Sequence, residues 1–407
     1  MKYLILLGDG MADYPVEELG GKTPLEAARK PNMDFLSRRG KLGLARTLFE
    51  GMPTGSDVAN MCVLGYDPRK YYSGRSPIEA LGLGVHIAED DMVFRLNLVS
   101  LSVPEDNFLK SVMLDYSADK ITTSEAEELL HALNAQIPEP RLYLGVSYRH
   151  VALWKGIEQM KPLTPPHDFH GKEIGPYMPD NLKLAQYTRQ CHEILKDHPV
   201  NLLRGSKGLK PANGVWLWGE GRRAAFDSFY ERHGLRGSVV TAVPLITGLA
   251  VGMGLGVNNV DGATGDIGTN FRGKAEAALT ALRNGDDFVF LHIEAPDECG
   301  HEGNALEKTR SIELIDELTL GPLLEGLDKL GEPYRLMLMP DHATPVSLRT
   351  HTPDLIPFVI FDSRTAGCKG NASDKTPDNG APFTEACAKE TGVVENGYDL
   401  IERLFIK

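Results

Sequence analysis

The chain has 407 residues, enough for two domains with their own cores, and its 42% hydrophobic content includes no run long enough to cross a membrane. Its net charge of -13 argues against a nucleic-acid backbone as partner, whereas a few arginines and metal ions would still suffice to hold a small anion. Five cysteines without a CxxC pair exclude a disulfide framework and place the expected location in the reducing cytoplasm.

The run KYLILLGDG predicts a buried parallel strand over residues 2 to 8 that presents Asp9 at its carboxyl end. It passes into acidic, Gly-rich sequence with no small-residue cleavage site, so it reads as a first strand and not as a secretory signal. PLEAARKPNMDFLSRRG, residues 24 to 40, predicts one or two short helices stopped by Gly40. A strand is expected between Leu42 and Phe49, leading to the loop EGMPTGSDVANMCVLG. There Ser56 opens an apolar-periodic stretch, and a serine in the first turn of a helix lies among unpaired N–H groups that can hold an anion beside its hydroxyl. Taken alone, an ordinary cap on Thr54, Ser56 or Asp57 explains the same residues.

Between residues 85 and 209 the texture changes: MVFRLNLVSL alternates, TTSEAEELLHALN is helix-like, RLYLGVSYRHVALW is strand-like, and KPLTPPHDFHG is Pro-rich. This predicts a smaller α/β domain inserted into a discontinuous core of residues 1–84 and 210–407. His167, Asp168 and His170 of the insert read as a loop network in preference to a third metal site, and Trp154, Trp216 and Trp218 as packing aromatics. After the insert, VWLWG, the helical AAFDSFYERHG and the pair SVVTAVPLITGLAVGMG resume a doubly wound rhythm. GATGDIGTN reads as a turn and cap before the helix KAEAALTALRNG, which accounts for Asp261, Asp266 and Lys274. DFVFLHIEA, YRLMLMPD and IPFVIF supply three further apolar strands.

Two of those strands end in metal-ligand types. FVFLHIEAPDECGH supplies Asp297 and His301, four apart and able to meet one ion if a helical turn begins there; LMLMPDHATPVSLRTH supplies Asp341, His342 and His351. With Asp9, these residues from several strand ends are enough for two ions, although any single loop histidine is more simply structural. A mixed carboxylate and imidazole set favours manganese or zinc over magnesium. Two neighbouring ions would activate a nucleophile and neutralise both oxygens of an in-line phosphoryl transfer.

These segments resemble the alkaline phosphatase superfamily, and more closely the archaeal-type branch of cofactor-independent phosphoglycerate mutases. The likeness runs nearly end to end, through GDGMAD, TPLEAARKPNMD, MPTGSDVANMCVLGYDP, SGRSPIEALG, YRH, NGVWLWGEG, GATGDIGTN and both ligand segments. It implies an α/β fold with an alkaline-phosphatase-like three-layer core and an inserted lid. It also implies that Ser56 transiently accepts phosphate, with Asp9, Ser56, Asp341 and His342 on one of two divalent ions and Asp297, His301 and His351 on the other. Mn2+ is expected ahead of Zn2+, with no organic cofactor. The implied reaction interconverts 3-phosphoglycerate and 2-phosphoglycerate. Arg75 of SGRSP and Arg149 and His150 of YRH are the expected substrate-binding residues, His150 handling a glycerate proton. A salt bridge for Arg75 and strand-end packing for Arg149 and His150 are the plainer readings.

Alternatives stay open at this point. Some bacterial sequences resembling the branch have been proposed as homoserine kinases, but DGATGDIGTN lacks the Gly-Lys-Ser/Thr core of a P-loop. A metal-dependent phosphomonoesterase and a noncatalytic metal or phosphometabolite binder complete the set. The expected partner is a small phosphorylated hydroxy acid, with neither nucleic acid nor membrane, and monomer and homo-oligomer are equally compatible with the sequence.

Overall fold

The computed structural model describes residues 1–158, 160–366 and 380–406, so Cys368 lies outside them. The chain divides into two compact units, Met1–Tyr72 with Ala225–Lys407, and Ser73–Ala224. The first unit begins with strands β1 (Lys2–Gly8) and β2 (Lys41–Arg46). The second holds β3 (Asp91–Ser102), β4 (Val112–Asp115), β5 (Arg141–Val146), β6 (Arg149–Lys155) and β7 (Gly214–Gly221). The first resumes with β8 (Gly237–Val240), β9 (Gly256–Asn258), β10 (Phe288–Ile293), β11 (Tyr334–Met339), β12 (Ile356–Asp362) and β13 (Val394–Asn396).

In the first unit one eight-stranded sheet runs in the order β13-β2-β12-β11-β1-β10-β8-β9. Strand β1 lies between β10 and β11 and is parallel to both, while β12 is antiparallel to β11 and β2. Among these strands β12 alone runs backwards, so the chain leaving β11 turns and re-enters the sheet from the same end. The carboxyl ends of β1, β2, β10 and β11 therefore share one edge, where ligands of open α/β sheets bind. The apolar runs form central strands because both faces are covered: all of β10 and all of β1 except Lys2 are buried. Leu4, Leu6, Leu291 and Leu338 pack with Leu36, Leu279 and Leu324 on one face. On the other, Phe288 stacks on Phe229 at 4.9 Å and Tyr3 meets Phe405 at 5.0 Å. The result is the expected three-layer α/β core.

One long helical stretch of this unit, Ala305–Leu314 continued by Gly321–Leu330, carries a π-helical segment at Ile315–Leu320. Its buried Asp316 accepts from the backbone N–H groups of Asn32 and Met33, satisfying the start of the Pro31–Arg39 helix from another element.

The second unit is built on antiparallel β3, which pairs with β4, β6 and β7 while β5 pairs with β6. Helices Thr123–Gln136 and Leu182–Leu195 cover one face through Leu129, Leu133, Leu184 and Leu195 against Leu96, Leu98 and Leu217. The boundaries expected at 84/85 and 209/210 are thereby corrected to 72/73 and 224/225. VWLWG does not resume the core sheet; as β7 it pairs with β3 from Val93 to Val99, and the Arg75–Gly82 helix packs on both strands. Trp154 and Trp216 are buried here. No helix is long and apolar enough to cross a membrane among the described residues.

Candidate active site

The seven expected ligand residues, Asp9, Ser56, Asp297, His301, Asp341, His342 and His351, all belong to the first unit. Asp9 follows β1 directly, and Asp341 and His342 follow β11 after Pro340. Asp297 and His301 lie on the short helix Ala295–Glu302 that follows β10, so their four-residue spacing puts both on one face. The carboxylate of Asp297 lies 3.2 Å from His301 Nε2 and 3.4 Å from His351 Nε2. Candidate ligand atoms of Asp297, His301 and His351 form one close group, and those of Asp9, Asp297 and His342 a second that shares Asp297. Asp341 Oδ2 is 3.3 Å from His342 Nε2.

Ser56 is the first residue of the helix Ser56–Val63, whose cap position is Gly55, and its hydroxyl makes no capping bond. Instead Ser56 Oγ is 3.1 Å from His342 Nε2. Asn60, one turn along that helix, donates to Ser56 O at 2.9 Å and to Asp341 Oδ2 at 2.8 Å, fixing the serine against the ligand set. Gly10 has φ +61 and donates its N–H to Asp341 Oδ1 at 3.1 Å. A Cβ there would lie 2.5 Å from both Asp297 Oδ1 and Thr344 Oγ1, so only glycine lets this turn approach the carboxylates.

The hydrogen bonds assign the imidazole protons. His301 Nδ1 faces the carbonyl of Arg349 at 3.0 Å and His351 Nδ1 that of Thr54 at 2.8 Å; carbonyls only accept, so both Nδ1 atoms donate. Thr344 donates its hydroxyl to Asp297 and so accepts from His342 Nδ1, 3.2 Å away. In the neutral rings all three Nε2 atoms are then bare, and they converge: His301 Nε2 and His351 Nε2 are 2.9 Å apart. Asp9 Oδ1 is buried without a hydrogen-bond partner among the described residues. With the rings neutral, their lone pairs and the orphaned carboxylate oxygen are directed at a common space that cations would fill in place of a proton held between Asp297 and His301, so the residues present fit divalent ions.

The charges agree. Burial, then Asp341 and Asp297, push Asp9 well above the usual carboxylate range, and burial with Asp297 beside it lifts Glu294 to about 8. For Asp297 burial acts upward but is outweighed by hydrogen bonds with His301 and His351, which leave it well below its ordinary value. The bond to Asp297 in turn raises His301 to about 9, while burial lowers His342. Such crowding of acids and imidazoles is what bound cations relieve.

Arg75, Arg149 and His150 lie in the second unit. Arg75 Nε is 2.8 Å from Glu79, which also pairs with Arg95. Arg149 is exposed, over the ring of Tyr148. His150 is buried, its Nδ1 accepts from Gly145 N–H, and burial lowers it to about 4, so it is neutral at pH 7. His167 lies 3.6 Å from Asp168 and edge-on to Trp218, and no three-ligand group forms there among the described residues.

A sequence model of 2,3-bisphosphoglycerate-independent phosphoglycerate mutase matches residues 37–201. A protein of that name from Methanothrix thermoacetophila is 46% identical over 405 residues, covering 99% of this chain and 97% of its own. The chain belongs to the 2,3-bisphosphoglycerate-independent phosphoglycerate mutase family. A Geobacter sulfurreducens sequence named as a probable member is 45% identical over 410 residues, 99% of each chain. Among solved structures, the cofactor-independent phosphoglycerate mutase of Thermoplasma acidophilum matches at TM-score 0.67 with 27% identity over 99% of each chain. A Pyrococcus horikoshii protein matches at 0.79 with 28% identity, covering 99% of this chain and 96% of its own.

Three residues of this mutase-family site were missed from sequence. His292, fully buried in β10, bonds Asp9 Oδ2 through Nε2 at 2.9 Å and Thr241 Oγ1 through Nδ1 at 3.3 Å, so it orients the carboxylate. Its signal was a lone imidazole inside the apolar run FVFLHI. Thr344 and Asn60 carried no signal of spacing.

Proposed function

We propose that the chain interconverts 3-phosphoglycerate and 2-phosphoglycerate through a phosphoserine at Ser56. The observation that carries this reading is the Ser56 hydroxyl at the start of a helix, 3.1 Å from His342 Nε2 and beside converging carboxylates and bare imidazole nitrogens. Asp9, Ser56, Asp341 and His342 would hold one divalent cation and Asp297, His301 and His351 the other, manganese ahead of zinc. When bound, such ions lower the cost of an alkoxide and neutralise phosphate oxygens.

The chain's own groups do the rest. Asn60 and Gly10 hold Asp341, and His292 holds Asp9, so the pocket is built before substrate arrives. Ser56 Oγ gives up its proton and forms a bond to phosphorus as the bond from phosphorus to O3 of the substrate breaks, and O3 takes up a proton, so the proton count is unchanged. Glycerate stays bound and turns; its 2-hydroxyl loses a proton and bonds to phosphorus as the bond from phosphorus to Ser56 Oγ breaks, and Ser56 takes a proton to become a hydroxyl again. The first-turn N–H groups of the Ser56–Val63 helix suit the phosphoryl oxygens. Of the residues proposed from sequence to bind glycerate, Arg149 offers an exposed guanidinium able to take a carboxylate, while the enclosed, neutral ring of His150 is poorly suited to carry a proton.

The test follows 3-phosphoglycerate by phosphorus NMR with added Mn2+, without bisphosphoglycerate or ATP, in aliquots quenched with chelator. Formation of 2-phosphoglycerate without equivalent free phosphate is the expected result. Free phosphate alone would replace this reading with a phosphomonoesterase.

A further inference from the structure

Lys308 is fully buried on the helix Ala305–Leu314, carries no part of the chemistry above, and sits against the backs of the ligand loops. Its ammonium spends all three donors: on Asp13 Oδ2 at 2.7 Å, Thr344 O at 2.8 Å and Ala12 O at 3.1 Å. Asp13 is equally buried, and its carboxylate also accepts from Val346 N–H. One cation therefore joins the loop after β1, which carries Asp9, to the loop after β11, which carries Asp341, His342 and His351. Its helix follows directly on the one that carries Asp297 and His301.

The bond to Thr344 matters most. That residue's hydroxyl bonds both Asp297 and His342 Nδ1, so its backbone position sets one carboxylate and one imidazole at once. Thr344 N–H also donates to Ala12 O, closing a small ring in which Ala12 and Thr344 are held by each other and by Lys308. From the far side Gly300 packs so closely that a Cβ would lie 2.5 Å from Thr344 O.

We propose that Lys308 is the positioning residue of the metal cage, a fixed internal cation that holds the loop bearing Asp9 and the loop bearing Asp341 and His342 in register with Asp297 before any ion binds. A buried ion pair is weak support for stability; what this pair can fix is geometry, because its two charges are shut off from water and every further bond they make is to backbone of the two ligand-bearing loops. Loss of such outer support typically lowers metal affinity about 10- to 100-fold.

This inference rests on the two-ion reading of the site. The experiment compares the wild-type chain with the double variant Lys308→Met/Asp13→Leu, which removes both charges together so that neither is left buried alone, although Thr344 O and the N–H groups of Val346 and Tyr14 lose their side-chain partners, and with Lys308→Arg, which keeps the charge but not the three-bond fit. Apo protein is titrated with Mn2+ by calorimetry, apo melting is recorded, and kcat and KM for 3-phosphoglycerate are measured across Mn2+ concentrations. Both variants are expected to bind Mn2+ about 10- to 100-fold more weakly, with kcat restored by excess Mn2+ and KM unchanged. Wild-type Mn2+ affinity in either folded variant overturns the proposal, as does a loss of kcat that excess Mn2+ does not restore. Should the double variant fail to fold, Lys308→Arg alone decides by the same criteria. Absence of Mn2+ binding by the wild-type chain would instead overturn the two-ion reading.

Discussion

Replacing Ser56 by alanine separates the chemistry of the site from its architecture. In the structure the hydroxyl makes one side-chain hydrogen bond, to His342 Nε2 at 3.1 Å, and caps nothing. Its loss costs about 1 kcal/mol of stability, a fall in Tm of about 2–4 °C for a domain of this size class. The carboxylates and imidazoles stay, held by Asn60, Gly10, His292 and Thr344, so Mn2+ binding should remain largely intact. Activity should behave otherwise. Removing a nucleophile typically costs about 10⁴-fold or more in kcat, or at least ~5.5 kcal/mol of transition-state stabilisation, several times the structural effect. The assay is conversion of 3-phosphoglycerate by phosphorus NMR, alongside mass spectrometry of acid-quenched wild-type enzyme for phosphate on the peptide containing residue 56. A folded, Mn2+-loaded Ser56→Ala enzyme that isomerises within tenfold of wild type would refute the assignment, as would phosphate trapped on another residue.

His292→Leu leaves Asp9 Oδ2 without its partner and should weaken Mn2+ binding about 10- to 100-fold by calorimetry; unchanged affinity in a folded variant would remove His292 from the site. Gly300→Ala sets a helix-propensity gain of about 1 kcal/mol against a Cβ 2.5 Å from Thr344 O and 2.9 Å from its Cγ2, in a site too tight to give. Overpacking costs about 1–3 kcal/mol, so Tm and Mn2+ affinity should both fall, and a rise in Tm counts against the close packing. In the second unit, Asp115 accepts from Ser117 N–H and Oγ, both at 2.7 Å, and from Lys210 Nζ at 3.0 Å. Burial pushes its carboxyl up, but these bonds outweigh burial and hold it below the usual range. A depressed folded pKa means stability that is full above the unfolded value, about 4, and lost as pH falls through the folded one. Asp115→Asn should therefore flatten the acid limb of the unfolding curve, and an unaltered limb would dismiss the residue as a contributor.

The candidate ligands were legible because β1 and β11 are apolar runs that stop just before them: Gly8 before Asp9, Met339 before Pro340 and Asp341. A reader of sequence sees that edge directly, since a buried parallel strand has no other reason to end in acid and imidazole. What supports the ligands was not legible. His292, Thr344 and Lys308 are single polar residues in helices, strands or turns, and their partners are 283, 47 and 295 residues away in the chain. No local period encodes such distances. The misplaced boundary has a similar cause: VWLWG is as apolar as a core strand, and only its pairing with β3 reveals which sheet it serves. Residues 75–82 fell within the expected core range of 1–84, whereas the helix they form packs on β3 and β7.

A strongly acidic chain that works on an acidic substrate needs a local change of sign, and the site shows how this is arranged. Asp9, Asp297 and Asp341 bring three carboxylates to one sheet edge, which by themselves would repel phosphoglycerate. On the proposed two-ion reading, the cations would more than cancel them and leave a small positive excess facing the Ser56 hydroxyl. The buried ammonium of Lys308 adds a charge that no chelator can draw off, and its position behind Thr344 puts it on the protein side of the ligands, not in the path of the substrate. Because the three imidazoles already carry protons on Nδ1, toward Arg349 O, Thr54 O and the Thr344 hydroxyl, loading requires no change of tautomer, only release of the Nε2 proton that Asp297 holds on His301. The pull on an incoming anion is therefore short-ranged, confined to a distance comparable with the ~8 Å Debye length at physiological salt, while the acidic remainder of the surface discourages anions from binding elsewhere. Raising ionic strength should thus weaken the first encounter with substrate while leaving the bound, desolvated ion contacts nearly unchanged, so that salt raises KM and spares kcat.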